Sequence, residues 1–140
     1  HRDVRQLKLP PASMQCLFCN EVLEHVEQLG LALESLAATL TLGGYLLATV
    51  PLAYGQHESI VKAIWRGDGQ EPELLTEPEW HGDPVQSTQG SLVYRIPGWE
   101  LLDQLRAAGF RRAELHAVSS VRYGVLGAEL PYVFVVVAQR

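Results

Sequence analysis

A group of acidic and imidazole side chains near the start of the chain has the spacing of a possible metal site. Glu21, Glu24 and His25 form the pattern E-x-x-E-H, and residues at these spacings share one face of a helix. Two carboxylates and an imidazole could hold a divalent cation, with His57 or His81 as a further ligand. The alternative, which we favour, is structural: the glutamates stabilise the positive end of the helix dipole, and His25 packs or forms a hydrogen bond.

Three histidines are also candidates for acid–base chemistry. A reaction on a poor nucleophile needs a general base, and imidazole changes its charge near neutral pH. His25, His57 and His81 are the side chains to test for this role.

The two cysteines do not form a zinc or redox motif. Cys16 and Cys19 have C-x-x-C spacing, but a zinc site needs two further ligands, and a redox motif places its first cysteine at the start of a helix. Both lie in a predicted strand, where residues three apart point to opposite faces. We predict two buried, unreactive thiols.

The elements that would position these groups form a predicted βαβ unit. Residues 14–19 are a short apolar run that suits a buried strand, residues 21–41 have the 3.6-residue apolar period of a helix, and residues 45–50 form a second buried strand. Strands joined in this way run parallel. Ligands gather at the carboxyl ends of such strands, here at residues 19–21 and 50–52.

The rest of the chain contains an irregular segment followed by a helix and two strands. Residues 52–97 are polar and rich in turns, and we predict an inserted lid region on the substrate side, with a short helix at 59–66. An amphipathic helix is predicted at 99–108. Strands at 111–118 and 132–138 have no helix between them and should pair antiparallel. The expected fold class is α/β, with a mostly parallel sheet and an antiparallel carboxyl-terminal β-hairpin.

Size and composition exclude several classes of protein. The 140 residues suit a single domain, and 47% hydrophobic with 19% charged residues is typical of a globular chain. No apolar run is long enough to span a membrane. A net charge of −5 disfavours a nucleic-acid partner, and two cysteines do not make a disulfide scaffold. With no signal peptide recognised, the cytoplasm is the default location.

Several segments, in this order, resemble class I S-adenosylmethionine-dependent methyltransferases. Residues 3–26 (D-V-R-Q-L-K-L-P-P-A-S-M-Q-C-L-F-C-N-E-V-L-E-H-V), 43–51 (G-G-Y-L-L-A-T-V-P) and 99–110 (W-E-L-L-D-Q-L-R-A-A-G-F) are similar to successive elements of that family. The predicted terminal strand pair is similar to its closing hairpin. The resemblance implies a Rossmann-like fold, S-adenosylmethionine as cofactor, and methyl transfer to a small-molecule acceptor that the sequence does not identify.

The resemblance also implies which residues contact the cofactor. Asp3 would accept a hydrogen bond from the adenine amino group, and the Val4 amide would reach the ring. Cys19, Asn20 and Glu21 would meet the methionine part at the end of the first strand. The alternatives are a solvated, idle Asp3 and an ordinary helix cap at Asn20.

A motif similar to E-x-x-E-H is a metal site in the small-RNA 2′-O-methyltransferases and in some O-methyltransferases of the ubiquinone pathway. There the metal helps to position a substrate hydroxyl. The motif is also common in methyltransferases without a metal, so we expect no metal cofactor here.

Two departures from the family pattern limit these expectations. Met14-Gln15 stands where the family has Phe-Asp, and the glycine-rich loop has no counterpart, because the only Gly-x-Gly, at residues 67–69, follows no predicted strand. We therefore expect residues 1–140 to form an incomplete domain, part of a longer protein, that binds S-adenosylmethionine weakly by itself. The alternative function is a truncated, non-catalytic domain acting in protein association, as a homo-oligomer formed through the exposed edge of the first strand.

Overall fold

A four-stranded sheet forms the centre of the computed structural model, which describes residues 3–67, 69–82, 90–127 and 130–140. Its strands are β1 (Met14–Asn20), β2 (Leu40–Thr49), β9 (Arg112–Val118) and β10 (Val133–Gln139), in the spatial order β1-β2-β10-β9. β1 and β2 are parallel, whereas β10 is antiparallel to both β2 and β9. The α/β class and the antiparallel carboxyl-terminal pair are confirmed.

The predicted helix over residues 21–41 is shorter than expected. The α-helix α1 covers Leu29–Thr39, and only a single 3-10 turn, Leu23–His25, lies between β1 and α1. The reason is the backbone of the intervening residues: Glu21 has a left-handed φ of 51°, and Val26 (ψ 119°) and Gln28 (ψ 72°) lie outside the helical region. Glu21, Glu24 and His25, which would share a face of the predicted helix, therefore do not share one in the structure.

Gly43 and Gly44 lie within strand β2 and not at the end of helix α1. β2 begins directly at Leu40, and the register with β1 shifts between the pairs Met14–Leu40 and Cys16–Tyr45. Gly44 lies in this irregular stretch, where a Cβ atom would come within 3.0 Å of the Gln15 carbonyl oxygen. A glycine here lets the two backbones approach closely.

The hydrophobic core lies on one face of the sheet. α1 and α2 (Leu101–Ala107) cover this face. The fully buried core side chains include Leu33 from α1, Leu46 from β2 and Leu105 from α2. Such packing of an amphipathic helix on an alternating strand face is the main source of stability in layered α/β structures.

The opposite face of the sheet is open in the described part of the chain. Phe18 of β1 is 73% exposed and Tyr45 of β2 is 43% exposed. β1 also forms the edge of the sheet, since its only strand partner among the described residues is β2.

Residues 52–97 form three short antiparallel strand pairs. β3 (Ile60–Val61) pairs with β8 (Arg95–Ile96), β4 (Ala63–Ile64) with β5 (Glu73–Leu74), and β6 (Trp80–His81) with β7 (Ser91–Leu92). The short helix predicted at 59–66 is wrong: the β-branched residues of this segment suit an extended backbone. Residues 83–89, which include part of the predicted lid, lie outside the described residues.

The later predictions agree with the structure to within two residues. α2 lies within the predicted helix at 99–108, and β9 and β10 match the strands predicted at 111–118 and 132–138. No helix among the described residues has the length and apolar character needed to cross a membrane.

Candidate functional site

The carboxyl ends of β1 and β2 lie side by side. Asn20 and Thr49 are register partners, and the Thr49 hydroxyl donates to the Asn20 side-chain oxygen over 3.5 Å. The backbone N–H of Glu21 donates to the Thr49 carbonyl oxygen over 2.9 Å. Both Asn20 and Glu21 are exposed. This edge is where an open α/β sheet binds its ligands.

The chain bends at Glu21, just beyond β1, where the backbone φ is left-handed. A left-handed φ costs a non-glycine residue about 1–2 kcal/mol, and strain of this kind often occurs at functional sites. After this bend, the 3-10 turn places Leu23 and Glu24 in the interior, where both have no exposed surface. Glu21 faces solvent and is therefore separated from Glu24.

Glu24 carries a buried carboxylate with two imidazole neighbours. Neither of its side-chain oxygens has a hydrogen-bond partner among the described residues. Oε1 lies 3.5 Å from Nε2 of His25 and 3.8 Å from Nδ1 of His81. Burial raises the pKa of Glu24, because removal from water penalises the charged form.

His25 is held by a backbone carbonyl on the side away from Glu24. Its Nδ1 lies 2.8 Å from the carbonyl oxygen of Leu92 in β7. Since a carbonyl oxygen only accepts, this nitrogen carries the proton. The ring of His25 meets that of His81 edge-on, with centroids 5.0 Å apart.

His81 is held by a carboxylate in the same way. Its Nε2 lies 3.1 Å from Oε1 of Glu79, and the other oxygen of Glu79 is paired with the Lys62 ammonium group. The Lys62 hydrogen bond, followed by that of His81, lowers the pKa of Glu79, so this carboxyl group stays ionised and accepts from the imidazole.

The strand segment 92–94 connects these parts. The Tyr94 N–H donates to the Glu24 carbonyl oxygen, and the Val93 N–H donates to the Glu79 carbonyl oxygen, each over 2.9 Å. Together with the Leu92 carbonyl, these bonds attach the 3-10 turn and β6 to one extended backbone. Residues separated by more than 50 positions therefore meet at one point.

The structure brings together only part of the predicted acidic and imidazole group. Glu24, His25 and His81 each offer one ligand atom, and these atoms lie within 4.8 Å of one another. Glu21 is outside this group, and Glu24 is buried and not on a helix face that borders a cleft. The expectation of one shared helix face is wrong because α1 begins only at Leu29.

His57 lies in a different place from the other two candidate bases. It is 62% exposed, and its Nε2 is 3.6 Å from Oδ2 of Asp103 in α2. Of the two histidines proposed as a distant partner for His25, the structure therefore selects His81.

Asp3 and Val4 form a capped turn that packs near α1. The Asp3 carboxylate accepts from the Arg5 backbone N–H over 2.9 Å and caps the 3-10 turn Val4–Gln6. The Arg5 guanidinium also contacts both Asp3 oxygens, which lowers the pKa of Asp3. Asp3 is thus ionised and exposed, and retains acceptor positions for a further donor.

The two thiols have opposite surroundings, which corrects the prediction that both are buried. Cys19 is 7% exposed, and its burial, with a smaller contribution from Glu24, raises its pKa to about 11. Cys16 is exposed. The Cys19 thiol is therefore protonated and buried, which leaves it neither a nucleophile nor a ligand.

Sequence reasoning missed three groups that support this site: Glu79, Lys62 and the Leu92 carbonyl. The pattern Glu79-x-His81 was a usable signal, since residues two apart in a strand lie on the same side. A backbone carbonyl carries no signal in sequence.

Comparisons with solved structures identify the fold. The chain is similar to the 1,6-didemethyltoxoflavin-N1-methyltransferase of Burkholderia thailandensis, crystallised with 1,6-didemethyltoxoflavin and S-adenosylhomocysteine (21% identity, 98% of this chain and 48% of that chain, TM-score 0.50). A SAM-dependent methyltransferase of Methanosarcina mazei is similar over 99% of this chain and 65% of its own (12% identity, TM-score 0.55). The predicted class I methyltransferase fold is confirmed.

The fold does not by itself define a reaction. The [4+2]-cyclase SpnF is also similar, with 20% identity over 99% of this chain and 53% of that chain and a TM-score of 0.53. The chain spans from about half to two thirds of the length of these proteins. No protein-family model and no curated protein matches the sequence.

Proposed function

We propose that this chain forms the carboxyl-terminal part of a methyltransferase that uses S-adenosylmethionine. The observation that carries the proposal is the alignment of Asn20, Glu21 and Thr49 at the carboxyl ends of two parallel strands. In a class I methyltransferase fold this edge is the ligand-binding edge. Structures of this fold crystallised with S-adenosylhomocysteine support the choice of cofactor.

Five residues are proposed to contact the cofactor. Asp3 accepts from the adenine amino group, and the Val4 amide lies against the ring. The Cys19 carbonyl, the Asn20 amide and the Glu21 backbone face the methionine part. The exposure of Asp3, Asn20 and Glu21 fits this role, since each keeps a polar group available at the edge.

The chain would act mainly by placing donor and acceptor in line. Methyl transfer is a direct displacement, so correct orientation supplies much of the rate. We propose a small-molecule acceptor, bound on the side that the strand pairs of residues 52–97 occupy. For a poorly nucleophilic acceptor, His81 is a better candidate base than His57, because its ring lies beside His25 and Glu24, which follow β1 closely in the chain.

Calorimetry with S-adenosylhomocysteine tests the cofactor site in the full-length protein. We expect Asp3→Asn to weaken binding about tenfold, since a hydrogen bond to a charged group contributes about 1.5 kcal/mol. Glu114→Gln is the matched control, because Glu114 is likewise exposed and paired with an arginine two residues away. Equal affinity of Asp3→Asn and wild type would remove Asp3 from the site, and no binding by the wild type would contradict the proposed function.

The open face and edge of the sheet favour a second candidate, association with another copy of the chain. Phe18 and Tyr45 expose apolar surface on the adjacent strands β1 and β2. One edge of β1 has no strand partner among the described residues. Light scattering should then show a dimer, and Phe18→Glu should shift it towards monomer. A monomer at all concentrations would contradict this candidate.

A further inference from the structure

Three side chains direct one atom each to a common point beyond the end of β1. These atoms are Oε1 of Glu24, Nε2 of His25 and Nδ1 of His81. The oxygen lies 3.5 Å and 3.8 Å from the two nitrogens. Ligands at about 2.0–2.1 Å in a tetrahedral zinc site are about 3.4 Å apart, so these distances are close to those of a metal site.

The hydrogen bonds on the far side of each ring select the tautomer in which, for a neutral imidazole, the inward nitrogen is the one without a proton. Nδ1 of His25 donates to the Leu92 carbonyl, and Nε2 of His81 donates to the Glu79 carboxylate. In a neutral imidazole the other nitrogen then carries a lone pair. Metal-binding histidines are held in this way, by a carbonyl or a carboxylate on the outer nitrogen.

The carboxylate between these nitrogens accepts no hydrogen bond from the part of the chain that the structure describes. Glu24 has no exposed surface, and both of its oxygens lack a hydrogen-bond partner among the described residues. Buried polar groups almost always have partners. A lone pair on each ring and an unpartnered carboxylate therefore face one point, and together they form a set of electron-pair donors that a bound cation would complete.

We propose that Glu24, His25 and His81 bind one divalent transition-metal ion of the Zn²⁺ class. Two imidazole nitrogens and one carboxylate oxygen favour such an ion over Mg²⁺, which prefers oxygen ligands. The set differs from the four-ligand arrangement considered from the sequence, because Glu21 faces solvent and contributes nothing. His81 is partly exposed, so the ion has access from that side, and a fourth position remains open for water or a ligand.

The site follows from these contacts alone and does not depend on methyl transfer. Its test is therefore binding and not activity. Full-length protein is stripped of metal and titrated with Co²⁺, with visible absorption as the readout, and then with Zn²⁺ in competition. We expect saturation at one ion per chain, displacement of Co²⁺ by Zn²⁺, and no competition by Mg²⁺.

Variants separate this site from adventitious binding to surface histidines. His25→Ala should abolish the Co²⁺ absorption. Glu79→Gln keeps all three ligands and should weaken binding about 10- to 100-fold, as expected for a group that orients a ligating histidine. The matched control is His116→Ala, which removes an exposed imidazole beside a carboxylate at 3.2 Å and should leave affinity unchanged.

If a variant that lacks a metal-binding side chain fails to fold, the unfolding temperature of the wild type and of His116→Ala, with and without metal, gives a second measurement of binding. A bound ion should raise the unfolding temperature of the wild type and of His116→Ala, because it binds only the folded state. Folded wild-type protein that gives no saturable Co²⁺ or Zn²⁺ binding would overturn the proposal. So would binding that persists in His25→Ala, or competition by Mg²⁺ as strong as that by Zn²⁺.

Discussion

Phe18 and Cys19 are neighbours on β1, yet one is 73% exposed and the other 7%. Cys19 points to the face that α1 and α2 cover, and Phe18 points to the open face. Both faces carry apolar residues, so hydrophobicity alone does not tell which one is covered. The difference shows that stability and unoccupied binding surface come from opposite sides of the same strands.

The largest expected effect is on the covered face. Leu46→Ala should lower the free energy of unfolding by about 3 kcal/mol, because it leaves a cavity in a close-packed core. Phe18→Ala, although it removes more atoms, should change it by about 0.5 kcal/mol or less, as is usual at the surface. Urea denaturation measures both, with Leu42→Ala as an exposed leucine control on β2. Similar losses for Leu46→Ala and Phe18→Ala would mean that a second layer covers the open face.

The next effect concerns thiol reactivity: Cys16 on the open face should react faster than Cys19 on the covered face. Burial raises the pKa of Cys19 from its ordinary value of 9.0 to about 11. The thiolate fraction of Cys19 at mildly alkaline pH is therefore reduced about 100-fold. Iodoacetamide should label Cys16 first, and mass spectrometry of the digested protein identifies the site. Labelling of Cys19 at the same rate in folded protein would contradict its burial.

The smallest of the three expected effects is a change in the free energy of unfolding at Glu21, where the chain bends just beyond β1. Glu21→Val should lower the free energy of unfolding by about 1–2 kcal/mol, because a β-branched residue fits a left-handed φ poorly. Glu21→Asn should have little effect, since asparagine tolerates this conformation. Chemical denaturation of the two variants gives the comparison. If both lose the same stability, the side chain of Glu21 and not its backbone is important.

The sequence predicted elements well where one local pattern was sufficient. The continuous apolar run of β10 and the amphipathic period of α2 were recognised from neighbouring residues. The helix predicted over 21–41 is too long, because the apolar spacing continues through Glu21, Val26 and Gln28, whose backbone angles are not helical. The spacing of apolar residues contains no information on the backbone angles of individual residues.

The candidate site was predicted in its residue types and missed in its geometry. His81 joins Glu24 and His25 only because β6 pairs with β7 and the Leu92 carbonyl receives the His25 ring. These are contacts between residues far apart in sequence, so local reasoning could not choose between His81 and His57. The exposure of Cys16 was missed for a related reason: an apolar strand does not reveal that one of its faces is uncovered.

The most direct test of the proposed cofactor site is an amide chemical-shift titration of the full-length protein with S-adenosylhomocysteine. We expect saturable shifts that are largest at Asn20 and Glu21 and in the residues that follow Thr49, where the ends of β1 and β2 meet. Residues on the open face around Phe18 should shift little. The absence of saturable binding, or shifts confined to the open face, would contradict a methyltransferase cofactor site at these strand ends.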